Sequence, residues 1–86
     1  MSAKKNLRLL INLAKEAGLN EQDIHHAEEF IKYDEFGLSF DMLITQMYEY
    51  DVAINSRMYE LIVSIGSQLK LSSDEYDCMK TLIRGD

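Results

Sequence analysis

Apolar residues recur along this chain every three to four positions and nowhere alternate with a period of two over a strand's length, which predicts helices throughout. The segment from about Lys4 to Ala17 is rich in Leu, Ala and Lys and places Leu7, Leu10, Ile11 and Ala14 on one face. Gly18 then fits a left-handed C-terminal cap, with Leu19 folding back onto the helix end. Asn20 is the expected N-cap of a second helix, whose first turn carries Glu21 and Asp23 where the helix dipole favours carboxylates. Ile24, Ala27 and Ile31 form its inner stripe, Phe30 and Asp34 lie at its edge, and Gly37 is expected to close it.

Ser39 is the expected N-cap of a third helix, with Phe40, Leu43, Ile44 and Met47 inside and Met42 outward. After a short connection over residues 50–54, Asn55 or Ser56 caps a fourth, with Met58, Leu61, Ile62, Ile65 and Leu69 inside. Gly66 interrupts that helix where glycine costs about 1 kcal/mol relative to alanine, so the close approach of a neighbouring helix is its expected purpose. Ser72-x-x-Glu75 reads as a capping box opening a last short helix through Tyr76, Met79 and Ile83. The expected fold is all-α, a compact bundle of four to five short helices.

Length and composition narrow the options. At 86 residues and 47% hydrophobic, the chain has room for one domain over residues 1–86 and one core. Such a core leaves little volume for a deep enzyme pocket. The lone Cys78 offers neither an internal disulfide nor a zinc partner, which favours a reducing compartment. The run Leu9-Leu10-Ile11 is cut short by Asn12, Lys15 and Glu16, so no signal-peptide core is expected, and no segment reaches the ~18–20 apolar residues that span a bilayer. The expectation is a soluble, cytoplasmic protein.

The net charge of −6 is unevenly placed. Residues 1–19 hold four basic groups against one acid, and residues 52–86 four against five. Residues 20–51 hold nine acids against Lys32 alone. A concentrated negative field repels nucleic acid and anionic lipid and speeds encounter with a basic protein, although solubility alone also accounts for a charge of this size.

Residues that carry chemistry are sparse. His25 and His26 are adjacent and point about 100° apart on a helix, so they cannot face one metal together. Pairing His25 with Glu28 and His26 with Glu29 gives two ligands each, short of the three or four a metal needs. Cys78 has no activating neighbour, and no phosphate-cradling loop or nucleophile elbow occurs. No catalytic residue, cofactor or metal is therefore expected. Gly37-Leu38-Ser39-Phe40 resembles the serine attachment site of acyl and peptidyl carrier proteins, with Leu38 where the usual Asp stands and Phe40 where the usual Leu follows; helix capping explains Ser39 without any cofactor and is the preferred reading.

The helix faces turned from the core point to binding instead. Asp41, Thr45 and Glu49 form a ridge on the third helix with Tyr48 on its rim, and Glu28, Glu29 and Tyr33 extend it onto the second. The loops add Asp34, Glu35, Tyr50 and Asp51. Tyrosines among carboxylates suit a surface that docks a basic protein, since rings supply buried area and acids steer and pair with Lys or Arg. The alternative for each tyrosine is that it only covers the rim of the core.

Residues 24–69 resemble the MafI family of bacterial immunity proteins, through an E-x-G-L turn and its flanking helix positions: Ala27, Ile31, Glu35, Gly37, Leu38, Leu43, Glu49, Ile54, Asn55, Tyr59 and Ile62. The resemblance implies an antitoxin of a polymorphic or contact-dependent toxin system. Such a protein is cytoplasmic, is no enzyme, and neutralises the C-terminal domain of its cognate toxin, commonly a nuclease with a basic surface. It carries no contact residue across, so the eleven docking candidates, Glu28, Glu29, Tyr33, Asp34, Glu35, Asp41, Thr45, Tyr48, Glu49, Tyr50 and Asp51, come from charge and helix geometry alone. The alternatives are a carrier protein modified at Ser39 and an adaptor unconnected with toxins.

Overall fold

The computed structural model describes residues 2–85. Four α-helices, α1 (Ala3–Glu16), α2 (Glu21–Lys32), α3 (Phe36–Glu49) and α4 (Ser56–Gln68), are followed by two 3₁₀ turns, Ser73–Glu75 and Asp77–Leu82. Apart from a single parallel bridge between Ile54 and Ile83, no β pairing occurs among the described residues. The fold is the expected all-α bundle.

Its core is the set of inner stripes. Leu7, Leu10, Ile11 and Ala14 of α1 are buried against Ile24, Ala27 and Ile31 of α2, Phe40, Leu43, Ile44 and Met47 of α3, and Met58, Ile62 and Ile65 of α4. Leu61 and Leu69 are only partly buried at its margin. α2 and α3 run antiparallel as a helical hairpin. The Ser39 hydroxyl donates to the Ala27 carbonyl at 2.9 Å, and the Gln46 side-chain amide donates to Asp23 at 2.9 Å. The α1–α4 contact is pinned by the Asn6 amide donating to the Gln68 carbonyl oxygen at 2.8 Å.

Side-chain caps open three of the four helices: Ser2 accepts from the Lys5 N–H, Asn20 from Asp23 and Asn55 from Met58. α3 is different. It begins at Phe36, with Glu35 at the cap position and no side-chain capping bond. Ser39 is thus not a cap. It lies a full turn into the helix, fully buried, with its hydroxyl spent on α2.

All four helices end the same way, in paired backbone bonds characteristic of a Schellman motif. Leu19, Glu35, Val52 and Leu71 donate to the carbonyls of Ala14, Phe30, Met47 and Gly66, five residues back, at 2.8–3.0 Å. The left-handed residue just before each donor is Gly18, Asp34, Asp51 and Lys70 in turn. Gly18 and Leu19 meet the expectation for α1. For α2 the expectation fails: Asp34, at φ 59°, takes the left-handed position, and Gly37 falls inside the first turn of α3.

The C-terminal segment also departs from expectation. The Glu75 N–H bonds the Ser72 carbonyl at 3.0 Å, and the Ser72 hydroxyl accepts from Asp74 at 3.4 Å, so the capping box does not form. Tyr76, Met79 and Leu82 are the buried residues, while Ile83 is only partly buried. A spacing of three is the period of a 3₁₀ helix, and it replaces the α-helical 76–79–83 stripe. Tyr76 also explains Gly66, because a Cβ at Gly66 would sit 2.7 Å from the Tyr76 Cζ. The close neighbour is a ring, not a helix.

Candidate protein-docking face

Every one of the eleven candidate residues is exposed: Glu28, Glu29, Tyr33, Asp34, Glu35, Asp41, Thr45, Tyr48, Glu49, Tyr50 and Asp51. Tyr33, Tyr48 and Tyr50 are 69%, 51% and 60% exposed, too open to act mainly as lids on the core. The structure divides the set by direction rather than gathering it into one patch.

Glu28 points toward α1. It lines a groove of about 310 Å³ with Arg8, Ile11, Asn12 and Ile31, on the side where α1 contributes basic charge. Glu29 points about 100° away, as adjacent helix residues must. It borders a shallow hollow of about 120 Å³ with His26, Phe30 and Tyr33. Its carboxylate also lies 3.4 Å from His25 Nε2. The pairing is therefore His25 with Glu29, one helical turn apart, in place of the expected pairings three residues apart.

On α3, the Asp41–Thr45–Glu49 ridge and Tyr48 lie on solvent as the spacing requires. The bonds Ser39–Ala27 and Gln46–Asp23 set the register of α3 against α2. Asp34 and Glu35 mark the hairpin turn at one end. Tyr50 and Asp51 mark the other, where they line an open groove of about 630 Å³ with Gly18, Asn20, Gln22 and Ala53.

Asp51 is the most constrained of the eleven. Its backbone is left-handed, φ 52°, and its carboxylate accepts from the Arg84 guanidinium at 2.7 Å. That hydrogen bond chiefly, opposed by desolvation and helped by coulombic attraction to Arg84, holds its carboxyl below the ordinary value. The neighbouring bridge reinforces the link: Ile54 N–H donates to Leu82 at 3.0 Å and Arg84 N–H to Ile54 at 2.9 Å.

Sequence reasoning missed two features. Asp23 was expected only to complement the helix dipole; it is buried, and its carboxylate accepts from both Asn20 and Gln46. Leu38, which enters the sequence pattern only through a motif, is 49% exposed and shares the outer stripe of α3 with Asp41, Thr45 and Tyr48. Its spacing of three, seven and ten residues from those positions was the available signal.

Among the described residues no group of three or more His, Cys, Asp or Glu side chains is placed to hold a metal ion. No helix among them is long and apolar enough to cross a membrane. Compared with known proteins, the chain matches no family model, no curated protein and no solved structure.

Proposed function

We propose that this chain is an immunity protein of the MafI kind. It acts in the cytoplasm and neutralises the C-terminal toxin domain of a polymorphic or contact-dependent toxin system by binding it. The observation that carries the reading is the α2–α3 hairpin. Residues 20–51 carry nine acids against one lysine, eight of those acids are exposed, and the hairpin also presents three open tyrosines. A nuclease must hold phosphates on a basic surface, and an acidic protein face with aromatic anchors is the complement of such a surface. The E-x-G-L resemblance supplies the family. The carrier alternative is disfavoured because Ser39, the residue it needs, is fully buried with its hydroxyl bonded to Ala27.

The test is protection. A bacterial host expressing the C-terminal domain of a large secreted protein encoded immediately upstream should stop growing, and co-expression of this chain should restore growth. Continued arrest with both proteins present, or no such neighbouring toxin, speaks for an adaptor role instead.

A further inference from the structure

α3 alone of the four α-helices lacks a side-chain cap. Like α4 it holds no acid in its first turn and no base in its last, and it ends on Glu49. A carboxylate there faces the negative end of the helix dipole. Leu38, Asp41, Met42, Thr45, Tyr48 and Glu49 fall within about 120° of one another around the helix. Leu38 and Tyr48 are about half exposed and Met42 is partly so, an apolar content that solvent alone does not call for. α3 contains no Lys or Arg, and neither Asp41 nor Glu49 has an ion-pair partner among the described residues. By contrast, Glu29 meets His25, Asp51 meets Arg84, and Glu28 shares a groove with Arg8.

We infer that this stripe of α3 is the docking ridge itself, and that its occupant is a basic amphipathic helix of a protein partner. Apolar side chains of that helix seat on Leu38, Met42 and Tyr48, and its Arg or Lys heads reach Asp41 and Glu49. The inference rests on the partner-binding reading above and narrows it from the whole acidic hairpin to α3. Leu38 and Tyr48 stand ten residues apart, about 15 Å along the axis, so the partner must present apolar anchors over roughly three helical turns. At the Glu49 end an arginine meets the carboxylate, the negative dipole end and the open rings of Tyr48 and Tyr50, which favour a guanidinium over a neutral group. Nucleic acid and anionic lipid are repelled by the same charges.

A titration of the isotope-labelled chain with a synthetic amphipathic helical peptide of leucine and arginine, followed by amide chemical shifts, tests the ridge. The expected result is shift changes concentrated at residues 38–49. The double variant D41K/E49K should bind at least tenfold more weakly, and the charge-matched E60K/E75K should stay within about twofold of wild type. Shifts centred on the acids of α2, or equal loss in both double variants, overturn the inference. Separately, Glu49→Gln should raise the melting temperature by roughly 1–4 °C by removing the repulsion at the helix end. An unchanged or lower value contradicts the claim that α3 ends against its own stability. If the peptide maps elsewhere while growth protection holds, the ridge is wrong and the inhibitor reading stands. If the ridge binds peptide but no toxin is neutralised, the reverse is true.

Discussion

The Ser39 hydroxyl donates to the Ala27 carbonyl across the α2–α3 contact, at 2.9 Å and out of reach of solvent. This bond fixes the register of the hairpin and removes the serine from any surface chemistry. Ser39→Ala should therefore lower stability by about 0.5–1.5 kcal/mol in urea unfolding, the value of one buried neutral hydrogen bond. Ser39→Leu should cost more, because the fully buried site has no room for three added carbons. Incubation with a phosphopantetheinyl transferase and coenzyme A should leave the mass of the folded chain unchanged; a modified Ser39 would restore the carrier reading.

Gly66 and Tyr76 form a second fixed relationship. The Tyr76 ring is buried and packs edge-on to Phe40 with centroids 6.1 Å apart, so it cannot swing aside for a methyl group. Gly66→Ala gains about 1 kcal/mol of helix propensity but forces overpacking that costs about 1–3 kcal/mol, and net destabilisation is expected in thermal melts. In a double-mutant cycle Tyr76→Leu should relieve part of that penalty; strictly additive effects would show that the two sites do not touch.

Lys70 adopts a left-handed conformation at φ 60° to close α4, at a position where glycine carries no steric penalty. Lys70→Gly should stabilise the chain by about 0.5–1 kcal/mol, a rise in melting temperature of roughly 2–6 °C. It lies outside the hairpin, so affinity for a partner should not change. A fall in melting temperature would mean that Lys70 makes compensating contacts.

How much of the molecule was legible in its sequence follows from cases like these. The inner stripes of α1 to α4 could be read directly, because burial imposes a 3.6-residue period on residue type. The end of α1 was legible because Gly18 announces it. The ends of α2, α3 and α4 use the same bond pattern but place Asp34, Asp51 and Lys70 at the left-handed position, which residue type marks far less plainly than a glycine does. Gly37 therefore reads as the stop and Ser39 as the next start, three and four residues beyond Asp34 and Glu35, which hold those places. The exposure of the eleven candidate residues followed from helix geometry. Their division did not: Glu28 turns to Arg8, and Asp51 to Arg84, through packing between segments far apart in the chain.

The Asp51–Arg84 pair gives a pH signature. Its folded-state carboxyl titrates below the ordinary 3.8, so the pair stabilises the fold above about pH 4 and loses that contribution as pH falls through the folded value. Relative to Asp51→Asn, which keeps a residue tolerant of left-handed backbone, wild type should be more stable at neutral pH and equal to it in strong acid. The pair is open to solvent, so about 1 M salt should also remove most of the difference. A gap that persists in acid would assign the effect to the side-chain exchange rather than to charge.

The central claim is that the acidic face of the hairpin docks a basic toxin domain. Calorimetric titration of this chain against the C-terminal domain of the neighbouring secreted protein, with wild type and D41K/E49K side by side, tests it most directly. The expected result is a tight wild-type complex whose affinity falls with added salt, and at least a hundredfold weaker binding of the variant. Equal affinity of wild type, D41K/E49K and the companion variant E28K/E29K would contradict the account, even if the toxin remained inhibited.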